Sequence, residues 1–295
     1  MTVRLATRES PLARWQAEHT ADLLRAAHPG LEVELVPMTT EGDRRTDVPL
    51  SEIGGKGVFV KEVSAAVLDG RADVAVHSAK DLPALTAEGL VLAAVPARGD
   101  ARDALVGCRL QDLPTDGVVA TGSARRRAQL ARLRPDLRFQ DLRGNMATRL
   151  AQADSVDAIV VAAVALERLG LADRLTDVLP VGLMVPQVGQ GALALECRTD
   201  DTATCELLAA LEDPADRRRV DAERAFLAEL GGDCTLPAGA HALPGAAGDG
   251  DALVLRAVLS DGSGRTEQHL SSGNDPDTLG REAARALRDL LGLEP

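Results

Sequence analysis

Short β-branched runs alternate with amphipathic stretches twice along this chain, the pattern that a parallel α/β sheet demands. In the first series the strands are Val3–Ala6, Val33–Val36, Asp73–His77 and Leu90–Val95. Ser10-Pro11 offers an N-cap and a proline at the first helical position, opening a helix toward Ala27. A polar, glycine-rich connection over 38–57 ends in GGKG, and Phe59–Leu68 reads as a helix that stops at Gly70. The second series runs strand Val118–Ala120, helix from Ser123, strand near Arg138–Leu142, helix Met146–Ala153 and a last strand Ala158–Val161 with a short helix to Arg168. PARGDAR (96–102) reads as a crossover between the two, and the Pro/Gly-rich stretch 180–191 as the return. Gly191–Cys197 then adds a strand back to the first unit. Beyond it lie helices near 202–211 and 215–230, a strand at Leu253–Leu259 and a final helix from about Asp277. No internal repeat is visible.

The 295 residues suit about two domains at roughly 150 residues each and need no disulfide or zinc scaffold. The expected fold class is α/β: two lobes, plus a smaller C-terminal α+β domain. The division is 1–95 with 188–205, 96–187, and 206–295. Ligands of such folds lie at the carboxyl ends of the strands, in the crevice between lobes.

Composition removes several function classes. Trp15, Phe59, Phe139 and Phe226 are the only aromatics, and the net charge is −12, so neither stacking nor phosphate attraction favours a nucleic-acid partner. The longest apolar run, Ala158 to Leu166, is too short to span a bilayer, and MTVRLATRES has no signal-peptide core. Cys108, Cys197, Cys205 and Cys234 form no CxxC pair, which fits a reduced cytoplasmic protein; the first three read as small core residues. Five scattered histidines with no metal-ligand spacing argue against a metal site. GGKG (54–57) lacks the Ser or Thr that follows the lysine of a phosphate-binding loop, so an ATPase is disfavoured.

Within this acidic chain one stretch is basic. Residues 125 to 149 hold Arg125, Arg126, Arg127, Arg132, Arg134, Arg138, Arg143 and Arg149 against Asp136 and Asp141. TGSARRR (121–127) follows a strand and opens a helix, so backbone N–H groups, the Thr121 and Ser123 hydroxyls and guanidiniums can together hold a carboxylate or phosphate. RGNMATR (143–149) repeats the device. Side by side, the two suit a ligand with several anionic groups, whereas Arg132, Arg134 and Arg138 read as a solvated face. VHSAKDLP (76–83) puts Lys80 and Asp81 at the end of a strand, where a carboxylate can stabilise a cation and move a proton, or else form an exposed ion pair. His77 reads as a core or edge residue. GGDCTLPAGA (231–240) sets Cys234 in a glycine turn after a helix.

Seven motifs taken in order resemble the porphobilinogen deaminase (hydroxymethylbilane synthase) family. They are ATRESPLA (6–13), GGKGVFVKE (54–62), VHSAKDLP, TGSARRRAQL (121–130), LRGNMATRL (142–150), VGQGALALECR (188–198) and GGDCTLPAGA. The resemblance implies two lobes like those of type II periplasmic binding proteins and a third domain carrying a covalently attached dipyrromethane. It implies deaminating condensation of four porphobilinogen molecules onto that primer, then hydrolytic release of hydroxymethylbilane. Cys234 matches the thioether attachment residue and Asp81 the catalytic aspartate, which would stabilise the azafulvene cation left by loss of ammonia. Lys80, Thr121, Ser123, Arg125 and Arg126 match residues that bind the primer's acid side chains. Arg8, Ser10, Arg143, Arg149 and Arg168 match those that handle substrate and the growing chain. Gln190, of the hinge motif, is counted with them, and Lys56 and Phe59 match a mobile loop. A monomer, with hand-over of product to uroporphyrinogen-III synthase, is also implied. Asp233, Gly122 and Ala147 depart from the usual Gly, Ser and Gly. The competing reading is a non-catalytic receptor for a small polyanion, which leaves the loop cysteine and the carboxylate without a purpose.

Overall fold

The computed structural model describes residues 2–39, 60–231, 237–245 and 251–293. Its strands are β1 (Thr2–Arg8), β2 (Glu32–Met38), β3 (Val74–Ser78), β4 (Leu90–Ala94), β5 (Asp103–Gly107), β6 (Val118–Ala120) and β7 (Arg138–Gln140). They continue with β8 (Ala158–Ala162), β9 (Asp177–Val178), β10 (Leu193–Arg198), β11 (Ala238–Pro244), β12 (Leu253–Ser260) and β13 (Thr266–Gly273). The helices are α1 (Pro11–Ala27), α2 (Lys61–Leu68), α3 (Ala124–Leu133), α4 (Met146–Gln152), α5 (Ala163–Arg168), α6 (Thr202–Ala209), α7 (Pro214–Glu229) and α8 (Pro276–Leu291). Two compact units result: Met1–Gly99 with Ala192–Arg217, and Asp100–Gly191 with Arg218–Pro295.

The first unit holds a sheet of order β2-β1-β3-β10-β4. β1 pairs parallel with β2 and β3, whereas β10 is antiparallel to both its neighbours. Because successive side chains point to opposite faces, Val74 and Val76 join Leu5, Leu24 and Leu195 in one core while Ala75 joins Val63 and Val67 in another. β3 is therefore covered on both faces, which is why its VAV reads as an apolar run, whereas β1 and β2 (TVRLATR and EVELVPM) keep polar alternation. The second unit carries a sheet of order β7-β6-β8-β5-β9, in which β5 is the antiparallel strand. All five residues of β8 are buried. The two sheets share one order: second, first and third strands of the series, then an antiparallel strand delivered by a crossing segment, then an edge. No sequence repeat announces this shared topology.

A third sheet, the antiparallel meander β11-β12-β13, belongs to the second unit with α8 and with α7 from Arg218 onward. Asp275 caps α8 by accepting from Thr278 N, Pro276 opens it, and Gly292 ends it in the left-handed region.

Four strands escape the sequence reading. β5 opens on a charged residue, β9 has two residues, β11 is rich in Ala and Gly, and β13 (TEQHLSSG) is polar, so none carries a β-branched run. The purely parallel sheets expected from the alternation are in fact mixed. Of the cysteines read as core residues, Cys197 is buried but Cys108 and Cys205 are only half-buried. No described helix is long and apolar enough to cross a membrane.

Candidate functional site

In the first unit, β1 ends at Arg8 and Ser10 caps α1, its hydroxyl accepting from Ala13 N at 3.3 Å. Neighbouring β3 ends at Ser78, whose hydroxyl accepts from the Gln16 amide at 2.7 Å, so α1 fixes the point where β3 leaves the sheet. A single 3₁₀ turn, Ala79–Asp81, follows, pinned by Ala79 N to Ala192 O at 3.0 Å. That turn places half-buried Lys80 and Asp81 at the carboxyl end of a central strand. Nothing among the described residues hydrogen-bonds the Asp81 carboxylate, which is therefore available to a ligand. His77 is buried as expected, with Nε2 3.4 Å from Glu196 Oε2; the same oxygen lies 3.4 Å from the Ser64 hydroxyl.

In the second unit two turns lie together at the ends of β6 and β7. Thr121 N donates to Gln140 O at 2.8 Å, and the Thr121 hydroxyl accepts from Ser123 N at 3.2 Å. Ser123 caps α3, accepting from Arg126 N. A Cβ on Gly122 would stand 2.8 Å from the Leu142 carbonyl oxygen, so only glycine lets the two turns approach this closely. The second turn passes through Gly144 at φ +93°, and Asn145 then caps α4. Arg149 donates from Nε to Gly144 O at 2.9 Å. The two glycine turns expected from the sequence are thus both present and lie side by side. Arg168, at the end of α5, donates to Gly191 O at 2.7 Å; burial lowers its pKa to about 10, leaving it cationic at neutral pH.

Arg125 and Arg126 turn inward from the head of α3 onto Asp103 of β5. Arg125 Nη1 meets Oδ2 at 2.7 Å, and Arg126 meets Oδ1 through Nη2 at 2.7 Å and Nε at 3.0 Å. Arg126 also donates to Val160 O, and Arg125 to Val185 O. All three side chains are essentially enclosed: 0% of Asp103, 2% of Arg125 and 9% of Arg126 is exposed. Burial alone would raise the Asp103 carboxyl, but the two guanidiniums outweigh it and hold the group well below the ordinary carboxylate range. Gln190 is also fully buried and donates to Asp103 Oδ1 at 2.9 Å and Ala101 O at 2.7 Å. Arg125 Nε and Nη2 have no hydrogen-bond partner among the described residues. Two guanidiniums therefore share one carboxylate, leaving a buried site that is short of one negative charge.

Asp103 was invisible to motif reading because it sits in none of the seven segments. Glu223 was missed too. Fully buried on α7, it accepts from Gly189 N at 2.7 Å and Ala242 N at 2.9 Å, tying the return crossing to β11. In sequence it stands beside Asp221 and Arg224 in DAERAF, where nothing marks it as a buried acid. Cys234, Asp233, Lys56 and Phe59 lie outside the described residues. Among the described residues no three metal-capable side chains cluster.

The fold has distant likenesses to the methionine-binding protein MetQ (TM-score 0.43, 13% identity, 72% of this chain and 91% of that one) and to the effector-binding domain of BenM with benzoate (TM-score 0.43, 14% identity, 71% and 90%). Sequence comparison is closer. The family described as "Porphobilinogen deaminase, dipyromethane cofactor binding domain" matches residues 3–206, and "Porphobilinogen deaminase, C-terminal domain" matches 217–289. A porphobilinogen deaminase of Acidithiobacillus ferrooxidans is 47% identical over 292 residues, covering 97% of this chain and 94% of that protein. A chain matched along both family domains, with its acid at a strand end and its arginines at two helix heads, belongs to the porphobilinogen deaminase family.

Proposed function

We propose that the chain condenses four porphobilinogen molecules, with loss of ammonia, into hydroxymethylbilane, and that the residues described above divide the work as follows. The observation that carries the assignment of the arginines is the imbalance at Asp103. A buried site with one surplus positive charge and two idle N–H donors on Arg125 is complementary to a carboxylate, and each porphobilinogen brings two.

The dipyrromethane, held by a thioether to Cys234, supplies the primer to which the units are joined and stays with the protein at product release. The donor set suits it: Thr121, Ser123 and Arg125 at the head of α3, aided by Arg126 and by Lys80, are all donors to acid side chains. Arg8, Ser10, Arg143, Arg149 and Arg168 present further donors to incoming substrate and to the lengthening chain, whose charge grows with every ring. Gln190 acts from beneath, through Asp103. Asp81 holds the cation that porphobilinogen becomes on losing ammonia and takes up or returns protons as each bond forms; its carboxylate, at a strand end and unengaged by protein donors, is suited to both. The three-domain division, a monomeric state, a cytoplasmic location and hand-over to uroporphyrinogen-III synthase complete the proposal.

Intact-mass measurement on the isolated protein tests it. An adduct of two pyrrole units is expected on the wild type and absent from Cys234→Ser, with Ehrlich's reagent colouring only the first. An unmodified wild type that turns over porphobilinogen would overturn it, and a colourless, inactive protein that binds small polyanions would favour a receptor.

A further inference from the structure

Cys197 and Cys205 are eight residues apart in sequence, yet the fold brings their sulfurs to 3.3 Å. Cys197 lies on β10, enclosed in the core with Val74, Leu195 and Leu208. Cys205 lies on α6, packed against the same core and half-buried. The turn between them is fixed by Asp201, which caps α6 through Thr204 N at 3.0 Å and receives Arg198 at 2.6 Å. Cys197 falls within the VGQGALALECR motif, but the deaminase reading gives neither thiol a role.

We propose that Cys197 and Cys205 form a reversible disulfide that ties α6 to β10 within the first unit. Closing the bond asks the sulfurs to approach by about 1.3 Å toward the usual ~2.05 Å. The two thiols have unequal roles. Burial, and the hydrogen bond with Cys205, push the Cys197 thiol up to about 12, so Cys197 stays protonated and shielded from oxidant. Cys205, which reaches the surface, reacts first. With hydrogen peroxide as the oxidant, its thiolate attacks one peroxide oxygen; the O–O bond breaks, hydroxide leaves and takes up a proton as water, and a sulfenic acid forms. The Cys197 sulfur then attacks the sulfenic sulfur; the S–S bond forms, the S–O bond breaks, and the hydroxyl departs with the Cys197 proton as water. Two thiols give up two electrons to one peroxide, which becomes two waters in all. In a reducing compartment thiol exchange returns the pair.

The bond is remote from Asp81. β10 runs antiparallel to β3, with Leu193 opposite Ser78 and Cys197 opposite Val74, so the pair lies at the end of β3 where the strand begins. Four residues of strand, about 13 Å, separate it from the end that feeds the Asp81 turn. The expected effect is a stiffer first unit with catalysis intact.

The test uses the holoenzyme, in which the deaminase reading has Cys234 capped. It is treated with hydrogen peroxide, free thiols are alkylated, and the protein is digested with trypsin without reductant. Cleavage after Arg198 puts Cys197 and Cys205 on separate peptides, ending at Arg198 and Arg217. The expected result is one linked pair, two hydrogens lighter than the sum, separating on reduction and absent from Cys205→Ser. Oxidation should raise the melting temperature of wild type by ~5 °C and leave Cys205→Ser unmoved. Turnover should stay within about twofold. Two alkylated thiols after peroxide, a Cys205 that proceeds to sulfinic acid unlinked, or a linked pair seen only in unfolded protein would overturn the proposal. So would turnover that falls in step with bond formation. An uncoloured, unmodified Cys234 alongside a 197–205 link would defeat the deaminase reading and leave this one standing.

Discussion

Oδ1 of Asp103 accepts the side-chain amide of Gln190 at 2.9 Å, on the same oxygen that takes Nε and Nη2 of Arg126. A glutamine of the return crossing thus fixes the carboxylate that both buried arginines pair with. Removing that carboxylate while leaving the guanidiniums enclosed costs about 3–5 kcal/mol. Asp103→Asn is therefore expected to melt many degrees lower and to retain little primer, read by calorimetry and intact mass. If it melts like wild type and loads fully, Asp103 has no positioning role.

The same group gives a pH signature. Its folded pKa is depressed, so its contribution to stability is complete above the ordinary carboxylate value near ~3.9 and is lost as pH falls below that toward the folded value. Urea midpoints between pH 6 and pH 2.5 should fall more steeply for wild type than for Asp103→Asn. Parallel curves would contradict the pairing.

Asp81 is expected to behave in the opposite way. Half-buried and unbonded by described residues, it does little for the fold, so Asp81→Asn should melt within about a degree or two of wild type. Its turnover should drop by at least ~10²-fold, the scale of a lost acid–base group. Porphobilinogen consumption together with a melting curve decides the matter; near-normal turnover would remove Asp81 from the mechanism.

Gly122→Ala puts a Cβ 2.8 Å from the Leu142 carbonyl oxygen, so the two turns must shift apart to admit it. The penalty is about 1–3 kcal/mol, felt where the two anion turns touch. Weaker binding of substrate, seen as a raised KM beyond the change in kcat, is the expected outcome, and unchanged KM would show that the turns act independently.

Glu223→Ala leaves the Gly189 and Ala242 amides buried without an acceptor, at roughly 1–3 kcal/mol each. A lower melting temperature, restored in part by Glu223→Gln, which keeps one acceptor oxygen, is expected from calorimetry. Equal losses in the two variants would mean that charge, not hydrogen bonding, is what the site requires.

The sequence made the local devices plain and the distant pairings obscure. Ser10, Ser123 and Asn145 announce helix starts because a cap needs only its own helix, and the two glycine turns carry their arginines with them. β8 reads clearly since both its faces are covered. Asp103 and Glu223 gave no such sign, and Gln190 entered only through the resemblance of its hinge motif: each works on residues far along the chain, and a buried charge looks in sequence like any other Asp or Glu. β11 and β13 were missed for a related reason, being held by their ladders with β12 rather than by propensity.

The place of β10 between β3 and β4 bears on how the protein emerges from the ribosome. When the first hundred residues have been synthesised, the strand that must separate β3 from β4 is still some ninety residues from being made. A nascent chain thus exposes raw sheet edges through most of its translation, inviting mispairing and a holding chaperone, and cutting it after the first crossing should yield an insoluble fragment rather than a free-standing half.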